Sequence, residues 1–503
     1  MRFHHTHLPL EVLQLLNPVP DAMYDSIRGV SGCMEGTRKG VIGKVLEWFD
    51  GGSDRPMCWL NGAAGFGKSA ISRTVAQLCE GSGRLCASFF FFREAGRRST
   101  ITHLISTIAY SMVFSIPATK PHVEKVLQEN HHILHRSHER QFRQLIIEPI
   151  CSVILPEPMV IVIDALDECD DRRAIVEFIN IVAYAFRDHR MPFPLRFFFT
   201  SRVEEHIRSV FAAAPALDVT YCLSLQDFNA DDDIRTFLQS RFASIYQQKH
   251  RQIGNIALPW PSQQDLDELV GKSSGSFIFA FTLINFVNDG SDLPHRKLQT
   301  ALRSHSGLDP LYAQVLQSAA HGPHFTRVLE TIIIIPQLVS IIDLACILQI
   351  EGGDVILALQ GVQSIIMVPE DDEHPVRLFH TSLRDFLTTR ARSQHFFIDP
   401  VTSHLSAAID CLAVMTAHHG DIFYEIQILQ YAARYWCHHL LSAIKEGGGG
   451  DCLFSQYDVF MDTLISFVSG VFESWMNSII WLVEIDNITE ILDFILQVGV
   501  IHY

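Results

Sequence analysis

The sequence has no Cys-x-x-Cys pair, no uninterrupted apolar stretch of membrane-spanning length and no excess of basic charge. Each absence removes a class of protein. The 11 cysteines are scattered singly, several of them inside apolar runs. An odd number without metal-ligand spacing excludes a structural zinc site and reads as free thiols in a reducing compartment, so the cytosol is expected. The N-terminus has no charged-then-apolar signal pattern with a small-residue cleavage site. The most apolar long stretch, residues 332–350, is interrupted by Pro336, Gln337, Asp343 and Gln349. It predicts buried core rather than a membrane span. A formal net charge of −17 argues against a nucleic-acid partner, which usually meets a basic face. There is no solenoid repeat, no Gly-x-Ser-x-Gly elbow and no His-Glu-x-x-His helix. His131, His132, His135 and His138 lack accompanying cysteines or carboxylates in a fixed pattern, so they do not predict a metal site.

What is present is a globular composition: 503 residues, 48% hydrophobic and 19% charged. That is material for roughly two to four domains. Five short β-rich runs, residues 57–61, 85–92, 159–164, 195–201 and 219–225, are mostly continuous in apolar residues rather than alternating. Such strands are covered by helices on both faces. Helical stretches separate them, so an α/β fold with a parallel sheet and right-handed crossovers is expected. Residues 1–40 read as a leader and linker, and 41–226 as the α/β core. Residues 227–310 read as a helical region, opened by acids at 231–233 that suit a helix N-terminus. Residues 311–395 read as helices closed by a hairpin with arms 364–369 and 376–380 and a polar turn at 370–374, a winged-helix pattern. Residues 396–503 read as helical again, with a Gly447–Gly450 linker.

Three motifs carry chemistry. Gly62-Ala-Ala-Gly65-Phe-Gly67-Lys68-Ser69 fits the phosphate-loop pattern, behind an apolar strand and ahead of a helix. Glycines let backbone N–H groups turn inward toward phosphate oxygens, and the helix that begins at Lys68, Ser69 and Ala70 points its positive end at them. Lys68 is expected on the β- and γ-phosphates, and the Ser69 hydroxyl on Mg²⁺. The second motif is the apolar run 159–163 ending in Asp164, followed by Asp167 and Glu168. Ligands bind at the carboxyl edge of open α/β sheets, so Asp164 is expected to hold Mg²⁺ through water. Glu168 is the candidate for orienting or deprotonating the attacking water, with Asp167 as its supporting acid. The competing reading is an acidic loop that caps the following helix. The third motif is Phe197-Phe-Phe-Thr200-Ser201-Arg202, whose arginine either senses the γ-phosphate or opens the next helix at the surface. Arg93, Arg97 and Arg98, just past the second strand, read as a solvated loop.

Together these motifs resemble the NACHT subgroup of the STAND signal-transduction NTPases, most closely those abundant in mushroom-forming fungi. The stretches GTRKGVIGKVLEWF, WLNGAAGFGKS, FFFFRE, VIVIDALDEC, FFFTSR, SGSFIFAFTLI, DPLYAQVL and VPEDDEHPVRLFHTSLRDFL carry the resemblance, over roughly residues 25–440. It implies an α/β NTPase core, a helical lid and a winged-helix domain closing over the nucleotide. It also implies that His380 contacts the β-phosphate of bound ADP, against the alternative of a structural histidine. Gly275-Ser-Phe-Ile278 stands where many relatives carry Gly-x-Pro, and the proline is absent here. Neither an effector domain nor a WD or ankyrin array is recognisable.

The expected activity is therefore that of an ATP/ADP switch with Mg²⁺, GTP not being excluded. It hydrolyses slowly, has protein partners and self-associates in the ATP state. The alternatives are a fast-cycling motor ATPase and a scaffold that holds nucleotide without hydrolysing it.

Overall fold

The structure is a computed structural model, and it describes residues 10–25, 31–93, 96–130, 132–188, 194–253, 258–303, 305–319, 321–369, 371–418, 427–446 and 457–482. His131, Glu370 of the hairpin turn and the Gly447–Gly450 linker lie outside the described residues. The chain divides into two compact units. One comprises Met1–Ile284 with His305–Leu308, and the other Asn285–Ser304 with Asp309–Tyr503.

The first unit is built on five strands: β1 (Met57–Asn61), β2 (Leu85–Phe90), β3 (Met159–Asp164), β4 (Leu195–Ser201) and β5 (Thr220–Ser224). They pair in parallel in the order β2-β3-β4-β1-β5. The apolar runs are continuous because both faces are covered. Met57, Trp59, Ile161, Ile163, Phe197 and Phe199 belong to one buried core. Their neighbours Cys58, Leu60, Val160, Val162 and Phe198 belong to the other. Successive side chains of a strand point to opposite faces, so each run needs apolar residues at every position. Helix Arg172–Asp188 contributes Ile175, Phe178 and Val182 to the first core. Helices Lys39–Glu47 and Lys68–Gly81 contribute Val41, Val45, Ile71 and Val75 to the second.

Two features differ from the sequence reading. Leu13, Leu16, Val19 and Ala22, within the stretch read as a leader, are buried in the first core. Helix Asp231–Ile253, with Asp231, Asp232 and Asp233 in its first turn, clusters with the α/β core rather than apart from it. So does helix Gln263–Ser273, which opens on a capping box between Ser262 and Asp265.

In the second unit, residues 332–350 form parts of helices Phe325–Ile334 and Ile341–Leu348, with Ile332, Ile333, Ile334, Leu344 and Ile347 buried. The hairpin arms pair antiparallel as β6 (Ile366–Met367) and β7 (Arg377–Leu378). Among the described residues no single helix is long and apolar enough to cross a membrane. Nor do three or more His, Cys, Asp or Glu gather there in a group that could hold a metal ion.

Candidate functional site

Strand β1 delivers its last residue, Asn61, to the carboxyl edge of the sheet, and residues 62–67 loop into helix Lys68–Gly81. Gly62 donates its N–H to the Ser201 carbonyl (3.3 Å), so β1 and β4 stay paired into the loop. A Cβ on Gly62 would lie 2.9 Å from Leu225 Cβ, which only glycine avoids. Gly67 caps the helix at φ +87°, in the left-handed region that favours glycine. The first backbone bond of the helix runs from Ile71 N–H to Gly67 C=O (3.0 Å). The N–H groups of Lys68, Ser69 and Ala70 therefore precede the ladder, as donors a phosphate can take. Lys68 Nζ donates to the carbonyls of Gly62 (2.8 Å) and Ala63 (2.9 Å), holding the ammonium inside the loop. Burial lowers its pKa, and the Asp167 carboxylate is the largest influence against that shift.

The metal candidates sit one strand away from the loop. Asp164, at the end of β3, is 2% exposed. Its Oδ1 accepts hydrogen bonds from Ser72 Oγ (2.6 Å) and Thr200 Oγ1 (2.5 Å), and the Ser69 hydroxyl also bonds this carboxylate. Burial raises the Asp164 pKa, and the hydroxyls of Ser69, Ser72 and Thr200 with the Lys68 charge pull it back. Strand β4 lies between β3 and β1. Thr200 thus reaches the carboxylate from one side and helix Lys68–Gly81 reaches it from the other. The sequence reading missed Ser72 and Thr200. Ser72 lies three residues after Ser69, on the same face of the helix, and that spacing was the available signal.

A family model described as nephrocystin 3, N-terminal, matches residues 42–202, the stretch that contains the loop, the acid-bearing end of β3 and Arg202. Residues 42–202 are a P-loop NTPase domain of the NACHT/STAND kind. Among solved structures, a STAND protein with a tetratricopeptide-repeat sensor from Pyrococcus horikoshii aligns at 11% identity and TM-score 0.44, covering 90% of this chain and 59% of that one. A Walker-type ATPase of Pyrococcus abyssi aligns at 16% identity and TM-score 0.35, covering 74% of this chain and 99% of that one. PCH-2 of C. elegans aligns at 11% identity and TM-score 0.32, covering 58% of this chain and 73% of that one. No curated protein matches. The chain thus spans 59% of the length of the P. horikoshii STAND protein.

Beyond Asp164 the NTPase domain turns sharply. Ala165 takes φ +59° and donates its N–H to Thr200 Oγ1 (3.1 Å), opening a 3-10 turn over Leu166–Glu168. Asp167 is buried, and both its oxygens face Arg202. Oδ1 accepts from the Arg202 backbone N–H (2.8 Å), and Oδ2 lies 3.2 Å from Arg202 Nε. Asp167, expected to support Glu168, instead holds the arginine. Glu168 is partly exposed, and its Oε2 accepts from the Arg93 backbone N–H (3.2 Å). Its pKa is raised to about 7, first by burial and then by the Asp167 charge, against Arg93 and Arg202. The helix-capping alternative belongs to a different residue: Asp171 Oδ1 accepts from the N–H groups of Arg173 and Ala174 (both 2.9 Å).

Of the three arginines read as a solvated loop, Arg97 is exposed but Arg93 and Arg98 are turned inward. Arg98 is 6% exposed and donates from Nε (3.4 Å) and Nη2 (3.3 Å) to the Phe90 carbonyl. Arg93 Nη2 donates to the Asp167 carbonyl (3.0 Å).

The segment 275–278, where the proline is lacking, lies on the phosphate loop. Ile278 donates its N–H to the Gly65 carbonyl (3.1 Å), and Gly275, at φ +80°, lies against the Phe66 ring. Arg38, 3% exposed, donates to the Phe66 carbonyl (2.8 Å), and its guanidinium stands 4.6 Å from the Phe277 ring centroid. Its Nε and Nη1 have no hydrogen-bond partner among the described residues.

These observations fit a nucleotide and Mg²⁺. A Cβ on Gly67 would meet nothing within 4 Å, so space is open where polyphosphate would lie. Arg38 keeps buried donors in reserve next to the loop. Ser69 and Asp164 offer an oxygen-only donor pair, which suits a hard cation. Gly65 is required by its neighbour as well as by its φ of +78°, since an added Cβ would overlap Ile278 Cγ2. Gly65→Ala is expected to destabilise the first unit by on the order of 3 kcal/mol, from left-handed strain and overpacking together. Thermal unfolding should show this as a Tm lowered by roughly 6–12 °C.

His380 belongs to the second unit and follows β7. Its Nδ1 accepts the Ser382 backbone N–H (3.0 Å) and contacts Ser382 Oγ (2.7 Å). In the neutral ring this places the proton on Nε2, which is then the donor.

Proposed function

We propose that this chain is an ATP/ADP switch of the NACHT/STAND class that hydrolyses slowly. The observation that carries the reading is the seat of residues 275–278 on the phosphate loop through Ile278 and Gly65. Loop and lid share a hydrogen bond, so a change in what the loop holds bears directly on the lid. A ligand shifts a two-state balance only by its differential affinity for the two states, and such a shared bond supplies one source of it.

In this scheme the N–H groups of Gly65, Gly67, Lys68, Ser69 and Ala70 hold the α- and β-phosphates, with Gly62 fixing the loop to β4. Lys68 leaves its loop carbonyls for the phosphate oxygens. Ser69 and Asp164 hold Mg²⁺, which would neutralise charge on the β- and γ-oxygens. Glu168 takes the proton of the attacking water. Arg202, held by Asp167, reads the γ-phosphate of ATP. His380 donates to the β-phosphate in the ADP state and loses that contact when ATP enters; this role follows from the family resemblance. Protein partners, self-association in the ATP state, and a part in signalling, self/non-self recognition or programmed cell death follow from it too.

The test is to purify the protein, denature it and identify what it releases, then measure turnover. ADP released, with turnover on the order of 10⁻² per second, supports the switch. Tight ATP binding without turnover makes the chain a scaffold. Rapid turnover with salt-dependent DNA binding makes it a motor. A protein that neither carries nor binds nucleotide overturns all three readings.

A further inference from the structure

We infer that Arg93 is a positioning residue that aims Glu168 at the attacking water and ties the acid turn to the strand end bearing Arg202. The inference rests on the proposed reading and adds to it a residue outside the three motifs.

The placement starts with register. Phe90 pairs with Asp164 across β2 and β3, and Phe91 extends the pairing by donating its N–H to the Asp164 carbonyl (3.1 Å). The chain then leaves the sheet beside the turn Leu166–Glu168. The far end of the loop is pinned back, because Phe92 N–H donates to the Arg98 carbonyl (3.2 Å) and the buried Arg98 guanidinium donates to the Phe90 carbonyl. Arg93 is therefore delivered over the acid turn directly from backbone that Phe91 and Phe92 hold in place.

Arg93 touches that turn twice. Its backbone N–H donates to Glu168 Oε2 (3.2 Å), which fixes one carboxylate oxygen. Its Nη2 donates to the Asp167 carbonyl (3.0 Å), which fixes the peptide between the two acids. The same Nη2 lies 3.8 Å from Glu204 Oε1, two residues beyond Arg202. A planar guanidinium suits such bridging because it offers several donors in fixed directions, which an ammonium does not. The charged groups around Glu168 are Asp167 on its own turn, Arg202 at the end of β4, Lys68 on the loop helix, and Arg93. Removing Arg93 takes away one of the few cations facing this cluster.

The experiment measures ATP and ADP affinity, kcat, and kcat/KM against pH for the full chain and for Arg93→Ala and Arg93→Lys. Arg93→Ala is expected to lower kcat about 10- to 100-fold, as loss of a supporting contact does, while both affinities stay within about threefold. The acid limb of kcat/KM should move to higher pH, because the lost charge favours the Glu168 carboxylate. Arg93→Lys should restore the limb and only part of kcat. A purely structural residue would not move the limb. If ATP affinity falls while ADP affinity holds, Arg93 is a phosphate ligand and the inference is overturned. It is also overturned if kcat and limb are both unchanged. If Arg93→Ala does not fold, Arg93→Lys and Arg93→Gln are read by the same criteria. A wild type without nucleotide or turnover would defeat the proposed function itself. A wild type that turns over normally beside an indifferent Arg93→Ala would defeat only this inference.

Discussion

Glu168→Gln is expected to bind ATP and ADP as the wild type does while turnover falls by about 10²- to 10⁴-fold, the range that general-base catalysis supplies. The substitution keeps the size of the side chain and an oxygen that can accept the Arg93 N–H, so the turn Leu166–Glu168 should persist. What is lost is the proton acceptor. The pH profile gives an independent check. Glu168 has its pKa raised to about 7, so the free protein holds it mainly protonated below that pH and mainly ionised above. A base must be ionised to work. The kcat/KM of the wild type should therefore fall as pH drops through about 7, and the residual activity of Glu168→Gln should lack that limb. A variant that turns over like the wild type would remove Glu168 from the chemistry.

Lys68→Ala is expected to weaken nucleotide binding by at least about a hundredfold, some 3 kcal/mol, since charge-assisted bonds to phosphate oxygens are lost. Lys68 bonds the carbonyls of Gly62 and Ala63. Gly62 is buried and Ala63 exposed, so leaving the Gly62 carbonyl without the ammonium should cost up to about 3 kcal/mol of stability beside the loss of affinity. Equilibrium titration with a fluorescent ATP analogue, beside a thermal melt, separates the two effects. Unchanged retention would mean that the loop does not bind polyphosphate.

The sheet was largely legible. The runs 57–61, 159–164 and 195–201 coincide with β1, β3 and β4, because strands buried on both faces must be apolar throughout. Runs 85–92 and 219–225 overshoot β2 and β5 by one or two residues, where apolar side chains continue beyond the strand ends. The turn between β1 and its helix, and the place of Asp164 at the end of β3, were legible because glycines follow one apolar run and an acid closes another. Arg93, Arg98 and Thr200 were not. A polar residue beside an apolar run looks like the start of a solvated loop, and only tertiary approach turns it inward. The partnership of Asp167 with Arg202 was hidden for the same reason, since it joins two strand ends 35 positions apart in sequence. The burial of Leu13, Leu16 and Val19 had a signal in their three-residue spacing, masked by Pro18 and Pro20.

The end of strand β4 and the residue just past it carry three different obligations. Thr200 bonds Asp164, Ser201 accepts the Trp59 indole N–H (2.8 Å), and Arg202 meets Asp167. Neighbouring side chains on a strand face opposite ways, so a slip of one position would swap every partner at once. The strand thus works as a ruler laid between the loop and the acids. An insertion or deletion within it should be far more damaging than any single replacement, because it would misalign this whole edge of the sheet while leaving the composition intact.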